Sequence, residues 1–153
     1  MKKLLIVYHS QTGNTLRLAR AALDGARREA GEVETRLLHA RDAGLDELLE
    51  CNALLLGTPE NFGLPSGMIK DFLDRTFYPA QNRRADAVPY ALFVSAGNDG
   101  TGAVRQIERI ARGYPWKRVA DPVVARGDLT EADLEAAREL GHTMAAGLAF
   151  GVF

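Results

Sequence analysis

Residues 4–16 read LLIVYHSQTGNTL, an apolar run followed by a polar loop and the start of a helical pattern. An unbroken apolar run of this length indicates a strand that is buried on both faces of a parallel sheet. Leu16, Ala19 and Leu23 then recur at spacings of three and four, and Ala26 and Ala30 extend the series. This stretch therefore predicts a buried strand, a short polar loop and an amphipathic helix.

The same strand-and-helix unit recurs along the rest of the chain. Four further strands are predicted, at 33–37, 53–56, 90–94 and 119–124. Helical stripes follow them at 45–49, 69–77, 104–111 and 134–148. Pro122 cannot donate a backbone hydrogen bond, so the last strand belongs at a sheet edge. Five such units predict one α/β domain over residues 1–153, with a doubly wound parallel sheet of order 2-1-3-4-5 and helices on both faces.

Composition and charge exclude several classes of protein. The 153 residues, 46% of them hydrophobic, are enough to bury a core without a metal or disulfide. The formal net charge of −1 argues against a nucleic-acid binder and against a strongly acidic carrier. Cys51, the one cysteine, precludes an intrachain disulfide, favours a cytoplasmic location and is expected in the core.

The apolar stretches of the chain bear on membrane and subunit contacts. No apolar stretch approaches the about 20 residues that span a bilayer. The apolar run 144–153 is expected to complete a packed C-terminal helix or to make a subunit contact, which leaves a homo-oligomer open.

Ligands of such sheets bind beyond the carboxyl ends of the strands, where the strand order reverses. The first loop to inspect consists of hydroxyl, amide and glycine residues, namely Ser10, Gln11, Thr12, Gly13, Asn14 and Thr15. Free N–H groups at the start of the following helix suit a phosphate, and a glycine allows close approach. The alternative is an ordinary helix cap. The loop lacks both G-x-x-x-x-G-K-[ST] and G-x-G-x-x-G, which excludes nucleoside-triphosphate and dinucleotide loops.

Other active-site chemistries find no support in the sequence. A phosphoreceiver domain of this topology needs acids after strand 1 and a lysine after strand 5, but the chain has His9-Ser10 and Arg126 there. The three histidines have no metal-ligand spacing, and no Ser-His-Asp arrangement is indicated. We therefore assign no metal and no catalytic acid or base.

Residues 6–19, IVYHSQTGNTLRLA, resemble the flavodoxin signature, with one departure in that the closing apolar residue is Leu23 rather than Ala22. The resemblance implies a flavodoxin-like fold. It also implies that residues 10–15 bind the phosphate of non-covalent FMN.

The second loop lies in residues 57–75, GTPENFGLPSGMIKDFLDR. Its glycines and prolines fix a particular backbone path, and Ser66 is expected to cap the next helix. Phe62 is expected to contact a flat ring or, alternatively, to plug the core. The segment resembles that of the flavodoxin-like NAD(P)H:quinone oxidoreductases first described as tryptophan-repressor-binding proteins. The resemblance implies flavin contacts for five residues: Pro59, Glu60, Asn61, Phe62 and Gly63.

The third loop, SAGNDGTG at 95–102, contains no aromatic residue. Small flavodoxin carriers typically place a tyrosine there against the flavin. Without one, a ring face stays open for a nicotinamide at contact distance. The residues expected at the flavin are Ser95, Ala96, Gly97, Asn98, Asp99 and Gly100. The alternative is a turn with no ligand role, and whether Tyr78, Tyr114 or Trp116 closes the pocket is left open.

These features favour an FMN-binding, NAD(P)H-dependent oxidoreductase that reduces a quinone or similar small acceptor. The length leaves no room for a separate nicotinamide domain, so NAD(P)H is expected to enter the flavin site. One alternative is a flavodoxin-type electron carrier with protein partners, and another is a non-catalytic binding domain that keeps the fold.

Overall fold

The computed structural model describes residues 1–83 and 87–153, which form a layered arrangement of strands and helices. The strands are β1 Lys2–Tyr8, β2 Val33–His39, β3 Ala53–Asn61, β4 Leu64–Pro65, β5 Pro89–Ala96, β6 Lys117–Arg118 and β7 Val123–Arg126. The helices are α1 Asn14–Ala26, α2 Leu45–Glu50, α3 Gly67–Ala80, α4 Thr101–Gly113 and α5 Glu131–Ala149. A 3-10 turn at Arg27–Glu29 extends α1.

The sheet has the order β2-β1-β3-β5-β6, and β7 pairs with β5 further along the same edge. These pairings are parallel, with Ile6 opposite both Leu37 and Leu55. The predicted doubly wound order is confirmed, with β5 as the fourth strand. The fifth strand differs from the prediction of 119–124, because it is split into β6 and β7. Pro122, which has no N–H to donate, lies between the two pieces.

Alternate side chains of the central strands point into two cores. Ile6, Leu55 and Phe93 face α1 and α5, whereas Leu56 and Leu92 face the helices on the other side. All five side chains are fully or almost fully buried. Continuous apolar strands therefore mark a sheet covered on both faces, as the sequence predicts.

The contact between α1 and α5 depends on two glycines. The buried face of α1 differs in detail from the predicted one. A β-carbon on Gly25 would lie 1.8 Å from the Arg138 carbonyl oxygen, and one on Gly141 would lie 1.9 Å from that of Ala22. Ala30 is exposed and lies beyond α1, so its place in the predicted stripe is wrong. Close packing buries a wider face, which includes Leu18.

The C-terminal helix α5 begins and ends as the sequence predicts. Thr130 and Asp133 form a reciprocal capping box. At the other end Leu148 is buried, while Phe150 and Val152 are exposed. Packing of this segment is confirmed, and a subunit contact stays a prediction. Among the described residues, none of the helices has the length and apolarity needed to cross a bilayer.

Candidate functional site

The carboxyl ends of β1, β3, β5 and β7 meet at one edge of the sheet around a cavity of about 490 Å³. It is lined by Gln11, Thr12, Asn14, Pro59, Glu60, Asn61, Ser95, Ala96, Gly97, Gly127 and Asp128. The three predicted loops therefore converge on one site. The other predicted site residues, which lie outside this lining, are Ser10, Gly13, Thr15, Phe62, Gly63, Asn98, Asp99 and Gly100.

The first loop presents the N-terminus of α1 to the cavity. Gly13 has a φ of 101°, a conformation that glycine adopts without strain, and its N–H donates to Ser10 Oγ at 3.1 Å. The first turn of α1 contains no acidic residue, and no side chain caps it. The helix dipole and free N–H groups therefore make this end of the cavity attractive to an anion.

Two threonines of this loop occupy different environments. Thr12 is exposed and lines the cavity. Thr15 is buried, and its Oγ1 lies 2.7 Å from Ser95 Oγ. Thr15 therefore joins the first loop to the third, behind the wall that Ser95 forms.

The second loop is a hairpin in which β3 continues to Asn61 and β4 returns antiparallel to it. The two turn residues both have positive φ, 53° at Phe62 and 75° at Gly63. This conformation is strained for phenylalanine. The Phe62 side chain is fully exposed (104% relative accessibility), so the alternative that it plugs the core is wrong.

A hydrogen bond links the hairpin to the first loop. Asn61 Nδ2 donates to Gln11 Oε1 at 2.5 Å, and both residues line the cavity. The same hairpin leads into α3, where Ser66 Oγ accepts from the Ile69 N–H at 3.3 Å. The predicted cap of α3 is therefore present.

His9 lies between the first loop and the start of α3. Its Nδ1 is 2.8 Å from Ser66 Oγ, and its ring packs edge-on against His39. Burial lowers the pKa of His9, and the neighbouring His39 lowers it further. Both causes favour the neutral imidazole. The sequence singled out this residue only as a histidine without metal spacing.

The hairpin also reaches the third loop, through the Glu60 side chain. Its Oε1 accepts from the Gly100 N–H at 3.2 Å, and its Oε2 accepts from the Ala103 N–H at 3.0 Å. Asp99 Oδ1 accepts from the Thr101 N–H at 3.0 Å, and this bond holds the Asp99 pKa below its usual value. Two carboxylates therefore occupy the N-terminus of α4.

A fourth loop, after β7, completes the cavity and was missed from the sequence. The Gly127 N–H donates to the Ala96 carbonyl at 2.8 Å, and Arg126 Nε donates to the Asp99 carbonyl at 3.0 Å. Gly127 and Asp128 both line the cavity. The signal was available, because the fifth strand neighbours the fourth and a glycine and an acid follow it.

The sequence leaves open whether Tyr78, Tyr114 or Trp116 closes the pocket, and none of the three lines the 490 Å³ cavity. Tyr114 and Trp116 stack at 3.9 Å between ring centroids and line a cavity of about 190 Å³ before the start of β5. Burial raises the pKa of Tyr114 to about 12. Tyr78 is exposed on α3. None of the described residues that line the 490 Å³ cavity is aromatic.

The sheet order, the anion-attracting N-terminus of α1 and the cavity at the reversal of strand order define an α/β protein of the doubly wound, ligand-binding class. The chain belongs to the flavodoxin family, because the family model described as flavodoxin matches residues 6–141.

Curated relatives include proteins named NAD(P)H dehydrogenase (quinone) and a protein named flavodoxin. The chain is 30% identical over 118 residues to an NAD(P)H dehydrogenase (quinone) from Archaeoglobus fulgidus, with 62% of each chain covered. It is 39% identical over 74 residues to a flavodoxin from Aquifex aeolicus, covering 48% of this chain and 40% of that protein. The chain therefore spans less than two thirds of the length of these relatives.

Solved structures share the fold over nearly the whole chain. An archaeal flavodoxin superposes with a TM-score of 0.82 at 24% identity, covering 95% of this chain and 98% of that one. A WrbA-like flavodoxin from Agrobacterium tumefaciens gives 0.80 at 23% identity, with 97% and 98% covered. At these identities the likeness is one of fold.

Proposed function

We propose that the chain binds FMN without a covalent link and acts as an NAD(P)H-dependent oxidoreductase that reduces a quinone or a similar small acceptor. The observation that carries the proposal is a cavity that has the uncapped N-terminus of α1 at one side and, among its described lining residues, no aromatic side chain. The first feature suits the phosphate, and the second leaves space against a flavin ring.

The phosphate is assigned to α1 because the two helix N-termini at the site differ in charge. The first turn of α1 contains no acid, whereas Glu60 and Asp99 accept hydrogen bonds at the start of α4. A phosphate dianion is attracted to a free helix N-terminus and repelled by carboxylates. Thr12 and Asn14, which line the cavity near α1, would add hydrogen bonds to its oxygens.

The ring would lie between the hairpin and the third loop. Bound FMN supplies hydride and electron transfer. The chain supplies position: Pro59, Glu60 and Asn61 at the end of β3 line one side of the cavity, and small residues at 95–97 leave a face accessible. A nicotinamide or quinone needs that face, because hydride transfer requires contact between the two rings. No side-chain acid or base is required by this assignment.

The relatives named NAD(P)H dehydrogenase (quinone) support the enzymatic assignment. Purified protein should take up FMN, seen as quenching of flavin fluorescence, and then oxidise NADH or NADPH when a water-soluble quinone is added. A protein that takes up no FMN would contradict the proposal at its base. FMN binding without NAD(P)H oxidation would support the assigned flavin site but contradict the assignment as an NAD(P)H-dependent enzyme.

An electron carrier is the second candidate, and the flavodoxin relatives favour it. A carrier would bind FMN, exchange electrons with a reduced protein partner and leave NAD(P)H unoxidised. The open third loop and the near-neutral charge weigh toward the enzyme.

Three broader assignments belong to the same proposal. Cys51 is the one cysteine of the sequence and is buried, which is compatible with a cytoplasmic location. Residues 1–153 are assigned to one flavodoxin-like domain. A homo-oligomer is proposed on the exposed Phe150 and Val152 at the end of α5.

A further inference from the structure

Glu60 contacts a helix that does not follow it in sequence. It lies near the end of β3, yet its two carboxylate oxygens accept from Gly100 and Ala103 at the start of α4. These two N–H groups are among those that a helix cannot satisfy internally. The helix has glycine at its N-cap position, and no side chain caps it from that position. The carboxylate of the hairpin therefore shares the N-terminus of α4 with the local carboxylate of Asp99, which accepts from the Thr101 N–H, and Glu60 accepts from the two other N–H groups.

A second contact brings the same two elements together. Gly102 in α4 lies beneath the hairpin turn, so close that a β-carbon there would stand 2.1 Å from the Gly63 carbonyl oxygen. The turn is strained at Phe62, whose side chain is exposed and does not anchor it. The contacts with α4 therefore add to the β4 pairing and the bond from Asn61 to Gln11 in holding the hairpin.

We propose that the Glu60 side chain is a positioning residue that fixes the hairpin 60–65 to α4, so that the second and third loops hold the flavin ring as one rigid wall. The proposal rests on the assigned flavin site for its ligand. It goes beyond the sequence-based expectation, in which Glu60 is one of five residues that contact the flavin.

The charge of Glu60 gives this role an electrical consequence. Glu60 lines the cavity, and the N-terminal dipole of α4 offsets part of the negative charge of its carboxylate. Substitution by glutamine removes the Glu60 charge from the N-terminus of α4, where only the Asp99 carboxylate then remains. Because reduction adds negative charge to a bound flavin, the midpoint potential is expected to rise.

Glu47 offers a matched control for these substitutions. Its Oε2 accepts from the Gly44 N–H at 3.0 Å at the start of α2, and it lines no part of the 490 Å³ cavity. The alanine and glutamine variants at both positions therefore compare a carboxylate at a helix N-terminus inside the site, which accepts two N–H groups at Glu60, with one outside it, which accepts one N–H group at Glu47.

The first measurement is amide hydrogen exchange in the FMN-free protein. In Glu60→Ala, exchange at Gly100 and Ala103 should rise about tenfold or more, because a bond to a charged acceptor is worth about 1.5–3 kcal/mol. Glu47→Ala should leave both amides unchanged. Unchanged exchange in Glu60→Ala would overturn the proposal whether or not the protein binds flavin.

The second measurement is on the flavin itself. FMN should bind about tenfold more weakly to Glu60→Ala, and Glu60→Gln should shift the midpoint potential upward. Wild-type affinity and potential in both variants, or equal changes in the Glu47 pair, would also overturn the positioning role. A wild-type protein that takes up no FMN contradicts the proposed function instead, and the exchange measurement then decides the Glu60 contact alone.

Discussion

The Oγ atoms of Thr15 and Ser95 lie 2.7 Å apart inside the protein, although 80 residues separate them in sequence. Thr15 is 1% exposed and Ser95 is 8% exposed, so neither hydroxyl has ready access to water as a substitute partner. The contact joins the loop after β1 to the end of β5. It gives Thr15 a structural role, whereas Thr12 in the same loop faces the cavity.

Thr12→Ala is therefore expected to weaken FMN binding, whereas Thr15→Ala is expected to lower the stability of the fold. Losing one hydrogen bond from Thr12 to a phosphate should weaken FMN binding by about 1.5–3 kcal/mol with little change in stability. Thr15→Ala leaves a buried hydroxyl on Ser95 unpaired and should lower the free energy of unfolding by about 1–3 kcal/mol. Fluorescence titration and urea unfolding measure the two effects, with the exposed Thr143→Ala as control. Wild-type FMN affinity in Thr12→Ala would move the phosphate elsewhere.

Phe62 combines full exposure with a positive φ, which are both unfavourable for a phenylalanine without a ligand. Phe62→Asn should raise the free energy of unfolding of the FMN-free protein by about 1 kcal/mol, because asparagine tolerates the left-handed region. The same change should weaken FMN binding if Phe62 makes the flavin contact that the family resemblance implies. Leu64→Asn, in the same hairpin but without a positive φ, should bring no gain in stability. A destabilised Phe62→Asn protein would argue against strain at this position.

The fold follows from the sequence because its signals are local. Each central strand is a continuous apolar run, and the helices carry stripes at three- and four-residue spacing, so the sheet order follows from the rule for parallel connections. The split of the last strand falls at Pro122, a local feature, whereas the true face of α1 depends on packing partners that no local window contains. Gly25 and Gly141, for example, carry meaning only where α1 and α5 meet.

The site is predictable in part for the same reason. The edge of the sheet and three of its loops follow from topology, and the cavity contains residues from all three. What the sequence does not reveal is which side chain faces the cavity and which joins loops together. The contacts from Thr15 to Ser95 and from Glu60 to α4 are of the second kind. The loop with Gly127 and Asp128 was missed because it follows the weakest strand.

Alanine variants at Gly102 and Gly141 distinguish an effect on the geometry of the site from an effect on the stability of the fold. At both positions a β-carbon would meet a backbone carbonyl oxygen, Gly63 at 2.1 Å for the first and Ala22 at 1.9 Å for the second. Gly102→Ala should displace the hairpin and weaken FMN binding. Gly141→Ala should lower the free energy of unfolding by about 1–3 kcal/mol by overpacking the contact between α1 and α5, with FMN affinity retained. Titration and urea unfolding of both variants test the pair, and wild-type FMN affinity in Gly102→Ala would contradict the role assigned to the hairpin.

His9 should make the stability of the FMN-free protein depend on pH. Its pKa in the folded protein is lowered from 6.5 by burial and by His39, so the unfolded chain binds the proton more readily. Stability is then greatest above about pH 6.5, decreases as the pH falls through that value and stops decreasing once the folded protein is also protonated. His9→Asn retains a polar group able to face Ser66 Oγ, 2.8 Å from Nδ1 in the wild type, but does not titrate. Urea unfolding between about pH 5 and pH 8 should show a smaller loss of stability in His9→Asn than in the wild type. Equal losses in the two proteins would mean that other groups cause the pH dependence.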